Sequence, residues 1–181
     1  MKKLFCLSIL ICSLAFVATA QPDGAKTQRH GGSYAFNLGV DVPIKFFKEM
    51  SSTGFAFDYA WSDQRFGKLD AKPSILGFTF NMGIAHYLGA DDHHGGNLAG
   101  YTNVHTYGGV IISPCKTGNI SLTGGPNLGL YSGNSKFGFG ARADVSWYLT
   151  NHIAITPGFL WIKELDVDPR YAITGRLTIA F

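Results

Sequence analysis

From residue 34 onward, large apolar side chains return at every second position, and the positions between them carry small or polar ones. Tyr34, Phe36, Leu38, Val40 and Val42 alternate with Ala35, Asn37, Gly39 and Asp41. The same alternation recurs in Phe55–Trp61, Leu76–Ile84, Thr102–Ile112, Ile120–Leu130, Phe137–Leu149, Ile153–Trp161 and Tyr171–Phe181. A period of two is the mark of a strand with two different faces, and helical spacing is scarce. The pattern predicts eight strands, most about ten residues long or slightly longer. The separators are rich in Gly, Asn, Asp, Pro and Lys, the residues that turns favour.

The composition of the second face decides what the strands do. It is mostly Gly, Ala, Ser, Thr and Asn, and few charges interrupt it. A soluble ligand-binding barrel would carry Lys and Glu on its water-facing side. A small, neutral face suits a crowded interior, and the aliphatic and aromatic face suits lipid. Alternating segments of ~10 residues separated by turns are the signature of an outer-membrane barrel. In hydrocarbon every strand must pair on both edges, so the sheet must close. The expectation is an all-β fold, an eight-stranded antiparallel up-and-down transmembrane β-barrel. A soluble ligand-binding barrel is the competing reading.

Residues 1–20 read as an address. Lys2 and Lys3 precede an apolar run from Leu4 to Val17, and Ala18-Thr19-Ala20 forms an A-x-A cleavage site before Gln21. This is the pattern of a secretory signal peptide. The run falls short of the ~20 residues of a membrane helix. The mature barrel domain is then 21–181. Cys6 and Cys12 leave with the signal, and Cys115, in a turn-like run, has no partner for a disulfide.

Charge narrows the partners. Charged residues make up 15% of the chain, and the formal net charge is +3. Without Lys2 and Lys3 the count is 13 basic against 12 acidic, and no basic stripe remains, so no nucleic-acid partner is expected.

Two details carry a family resemblance. The chain runs Tyr171-Ala-Ile173-Thr-Gly175-Arg-Leu177-Thr-Ile179-Ala-Phe181. That run, with Tyr171, Ile173, Leu177, Ile179 and Phe181 at alternate positions, resembles the closing-strand signal read by the outer-membrane barrel assembly machinery. Trp147–Ala154 resembles the short periplasmic hairpin of small barrels of the OmpA/OmpX type. The resemblance covers residues from about Tyr34 to Phe181. It implies a monomer in the outer membrane of a Gram-negative bacterium, with outer-membrane lipid and the assembly machinery as partners. No periplasmic peptidoglycan-binding domain is expected after the last strand. With both ends of the barrel chain periplasmic, outer loops fall at 43–53, 89–97, 132–136 and 163–170. Inner turns fall at 63–73, 113–118 and 150–152.

Candidate chemistry is sparse. Asp58, Arg142, Asp144 and Arg176 are charges within strands, all on the small-residue face. Isolated charges in a closed interior are costly, so they are expected to pair as a lumen charge network. Asp91, Asp92, His93 and His94 carry metal-ligand chemistry, but flanking glycines make a solvated loop tip the plainer reading. A lipid-modifying enzyme would need a nucleophile, a base and an acid near one bilayer interface. His86 and His105 are the available bases, but no His-x-Ser pair lies near an acid. No catalytic site and no cofactor is expected. The functional expectation is a structural or surface-interaction role with a side-chain-filled lumen, and passage of small apolar solutes is an alternative.

Overall fold

The computed structural model describes residues 33–63, 76–90, 100–115 and 117–181. Residues 1–20, read from the sequence as a signal peptide, most of the expected first inner turn and the Asp91–His94 cluster lie outside the described residues. The elements are β1 (Ser33–Ile44), α1 (Phe46–Met50), β2 (Ser51–Ser62), β3 (Gly77–Gly89) and β4 (Tyr101–Cys115). They continue with β5 (Gly118–Tyr131), β6 (Asn134–Tyr148), β7 (Ile153–Glu164) and β8 (Arg170–Ala180).

Each strand pairs antiparallel with its sequence neighbour, and β8 pairs back to β1 to close an eight-stranded up-and-down barrel. Phe181 completes the seam, its N–H donating to the Tyr34 carbonyl at 2.9 Å and its own carbonyl accepting from Tyr34 at 3.2 Å. The alternation sorts the faces as the hydrophobic pattern requires. Ala35, Asn37 and Asp41 of β1 are buried, while Phe36, Leu38, Val40 and Val42 are exposed on the outer wall.

Aromatic side chains gather at both ends of that wall. At the end away from α1, Tyr34 stacks on Tyr59 at 5.9 Å and Phe36 lies 5.4 Å from Phe181. At the α1 end, Phe159 meets Tyr171 at 6.0 Å and Phe137 meets Phe139 edge-on at 5.7 Å. An apolar band with aromatic girdles at both interfaces is the exterior of a transmembrane barrel.

Three of the four outer connections are shorter than the alternation suggests. Strand pairing runs through Pro43, Lys136 and Lys163, which the alternation assigns to loops. The third loop shrinks to Ser132-Gly133, where Gly133 takes φ 83°, a conformation costly for other residues. The turn after β6 is closed by Thr150, whose Oγ1 accepts from the Ile153 N–H at 3.0 Å. One element is not foreseen: the first loop folds into α1, five residues long. A helix this short leaves no readable period, and its place is set by burial of Phe47 in the barrel mouth.

Candidate functional site: the filled lumen

The inward residues form three layers. In the middle layer Asp58 of β2 is the hub, fully buried. Its Oδ2 accepts from Arg142 Nη1 of β6 at 2.7 Å and from Arg176 Nε of β8 at 3.3 Å. Its Oδ1 stands 3.0 Å from His105 Nε2 of β4. The chain of bonds continues on both sides. Arg142 Nε donates to Asp144 Oδ2 at 2.6 Å. Arg176 Nη1 donates to Asp41 Oδ1 and to the Val40 carbonyl, and Asp41 Oδ2 accepts from the Tyr87 hydroxyl at 2.7 Å. One bonded run therefore crosses the lumen from β3 through β1, β8 and β2 to β6.

All four in-strand charges singled out in the sequence, Asp58, Arg142, Asp144 and Arg176, thus stand in contact. The structure adds Asp41 and His105 to that set. With them the layer holds three carboxylates, two guanidiniums and one imidazole, not two charges against two. Asp41 carries the needed signal, an acid in the inward register of its strand.

Wall glycines make room for these groups. A Cβ on Gly83 would strike Asp58, one on Gly39 would strike Arg176, and one on Gly140 would strike the Tyr107 hydroxyl. The interior is wide enough only for side chains to fill it.

A second layer closes the α1 end. Glu164 of β7 accepts from the Tyr101 hydroxyl at 2.7 Å and from the Tyr131 hydroxyl, and pairs with Arg170 of β8 at 3.3 Å. The Arg170 guanidinium lies over the rings of Tyr101 at 4.2 Å, Tyr131 at 5.0 Å and Phe47 at 5.4 Å. Phe47 reaches down from α1 onto Tyr87, 4.8 Å between centroids. Cation–π contacts are strongest where water is excluded, and here Phe47 and Arg170 are both buried. Glu164 and Arg170 fall among the separators in a sequence reading because the apolar pattern of their strands stops short of them. The inward register of Leu160, Ile162 and Glu164 would have included the acid.

Below the hub the lumen is polar and looser. Thr178 Oγ1 donates to Asn37 Oδ1 at 2.7 Å, and Thr156 donates to Ser146 at 3.0 Å. A cavity of about 30 Å³ lies among Asn37, Asn81, Asp144, Thr156 and Thr178. That is room for about one or two waters.

On the outer wall, His86 Nδ1 meets Thr102 Oγ1 at 2.8 Å as a cross-strand pair. Tyr171, Ile173, Leu177 and Ile179 line the outer face of β8, and Phe181 follows it. Among the described residues no cluster of three metal-ligating side chains occurs.

No protein-family profile matches the sequence, and no curated protein matches it. Solved structures do match the fold. The Yersinia pestis outer membrane protein Ail in a phospholipid bilayer nanodisc superposes with a TM-score of 0.57, at 12% identity, over 83% of this chain and 99% of that one. The crystal structure of Ail, the attachment invasion locus protein of Y. pestis, gives 0.57 at 11% identity, over 83% and 98%. The same protein in complex with the heparin analogue sucrose octasulfate gives 0.52 at 12% identity, over 83% and 99%. The fold is that of the small eight-stranded outer-membrane barrels of the OmpA/OmpX type.

Proposed function

We propose that the protein is an outer-membrane β-barrel of a Gram-negative bacterium with a structural or surface-interaction role, its lumen closed to general solute flow. One contrast carries this reading. The wall exposes a continuous set of large apolar side chains, among them Phe55, Phe78, Leu122, Phe139 and Trp147, while Asp58, Arg142 and Arg176 are buried inside. Water would reverse that arrangement, and lipid requires it. The α1 end then faces outward, with the start of β1 and the end of β8 on the periplasmic side. The outward residues of β8 and Phe181, which complete the β1–β8 seam, serve as the surface that the assembly machinery reads.

The test has two arms. Membrane-extracted protein should migrate differently on a gel before and after boiling, and should fractionate with the outer membrane. In planar bilayers it should give no large, steady conductance. A porin-like current would overturn the closed-lumen reading, and a soluble protein with no gel shift would overturn the membrane reading.

A lipid-modifying activity is the second reading. It has one observation in its favour, the outward His86–Thr102 pair, a base beside a hydroxyl on the lipid-facing wall near the α1 end. It ranks second because no carboxylate contacts His86 among the described residues. Unchanged acyl composition of lipid A in cells with and without the protein would exclude it.

A further inference from the structure

We propose that the α1 end of the outer wall, across β1, β8 and β7, binds the phosphate of an outer-leaflet lipid headgroup through Lys45 and Lys163. This deepens the outer-membrane reading and rests on it.

Lys45 is held at the wall by its backbone. It takes φ 56°, a left-handed conformation that a residue with a Cβ adopts at a cost, and it sits between the end of β1 and α1. Two residues later Phe47 turns inward and is buried in the barrel mouth. Lys45 goes the other way, its ammonium lying 4.4 Å above the ring of Tyr171 on the outer face of β8. The register pairs Ile44 with Tyr171, so the lysine stands one residue above the last β1–β8 pair.

Lys163 stands on the other side of β8. It lies two residues beyond Trp161, which pairs with Tyr171 across β7 and β8. Its ammonium donates to the Val167 carbonyl at 2.8 Å, which holds it at the rim. An ammonium has three donors, so each lysine keeps N–H groups for another acceptor. Two strand spacings of ~4.8 Å put the two lysine backbones roughly 10 Å apart. Both flexible stems can therefore reach one phosphate.

The chemistry of the surroundings selects an anion at a lipid interface. Below the lysines the wall is apolar and aromatic, with Trp161, Tyr171 and Phe159. Trp and Tyr sit at headgroup level, and lysines near them meet phosphate. Among the described residues neither Asp166 nor Asp168 forms a salt bridge with either lysine. Glu164 and Arg170 flank the same connecting segment but are buried in the lumen, where they form an ion pair with each other.

The experiment is native mass spectrometry of the detergent-folded full chain with added phosphatidic acid, a phosphomonoester lipid, or phosphatidylcholine. The unmodified protein should retain phosphatidic acid in preference. Lys45→Gln and Lys163→Gln should each weaken that retention roughly fivefold. Lys48→Gln with Lys136→Gln, lysines of the same end but off this wall, should leave it unchanged. Unaltered retention in the Lys45→Gln/Lys163→Gln double variant overturns the proposal, as does an equal loss in the control pair. The boiling-dependent gel shift is read on the same samples. A shift with no lipid preference rejects the phosphate site alone, whereas no shift in the unmodified protein rejects the barrel reading and the site with it.

Discussion

Arg142 and Asp58 lie 84 residues apart in the chain, yet Arg142 Nη1 and Asp58 Oδ2 meet at 2.7 Å inside the barrel. With eight strands in closed sequential order, β2 and β6 occupy opposite walls, so this bond is a strut across the full width of the lumen. Removing two charges from water is costly, and such a pair is favourable only when the remaining polar atoms are also bonded. That condition is met in part: Arg142 also binds Asp144, and Asp58 Oδ2 also accepts from Arg176, whereas Asp58 Oδ1 and Asp144 Oδ1 are buried without a hydrogen-bond partner among the described residues.

Arg142→Ala should therefore leave Asp58 and Asp144 underpaired and lower stability by about 3–5 kcal/mol. The urea midpoint of the boiling-dependent gel shift measures this. Replacing both Arg142 and Asp144 should cost less than the sum of the single changes, since the two share a 2.6 Å bond. Strict additivity would mean that the bond contributes nothing.

Arginine placed on the outer wall tests the orientation of the faces. Leu122 lies near the middle of β5 with its side chain 59% exposed. Leu122→Arg should cost ~2–4 kcal/mol if hydrocarbon surrounds it. Asn134→Arg, at the tip of the β5–β6 hairpin, should cost little. Equal tolerance at the two sites would place water, not lipid, around Leu122.

The alternation made the barrel legible because lipid outside and packed side chains inside impose opposite demands on successive residues. It made Asp58, Arg142, Asp144 and Arg176 legible because a charge in the inward register has no solvent to face. It failed where the outward residues stop being apolar before the strand ends. Lys163 breaks the outward pattern at the rim, which hid Glu164 beside it, and Pro43 lies inside β1 although it reads as loop. Phe47 was not legible at all, since nothing local distinguishes it from its exposed neighbour Phe46. Only the mouth formed by Tyr87, Tyr101 and Arg170 gives it a place to go.

Glycine positions separate space from conformation. A Cβ at Gly83 would stand 2.6 Å from the Phe57 carbonyl oxygen and 3.0 Å from Asp58 Cα, backbone atoms that cannot yield cheaply. Gly83→Ala should cost about 1–3 kcal/mol by pushing the hub carboxylate off its partners. Gly175, on the outer face of β8, has nothing within 4 Å of its added Cβ. Gly175→Ala should be tolerated, and denaturant midpoints of the two variants should differ accordingly. Equal midpoints would show that the wall at Gly83 relaxes freely.

The last prediction concerns the seal at the α1 end. A helix of five residues does not hold itself, because nucleation is unfavourable and few bonds repay it. What holds α1 is Phe47, 1% exposed, on the rings of Tyr87 and Tyr101 and beneath the Arg170 guanidinium. The strands below keep their own ladders and the Asp58 hub, so loss of the ring should loosen the lid and not the barrel. Phe47→Ala should raise hydrogen exchange roughly 100-fold at the Lys48 and Ser51 amides, which bond within α1 to the Lys45 and Phe47 carbonyls. Trypsin should then cut near Lys48, while exchange in β2 from Phe55 onward and in β6 stays slow. Phe46→Ala, at a side chain 46% exposed, should change neither readout. Exchange that rises equally in α1 and in the strands would show that Phe47 supports the whole barrel and that the mouth is not a separate unit.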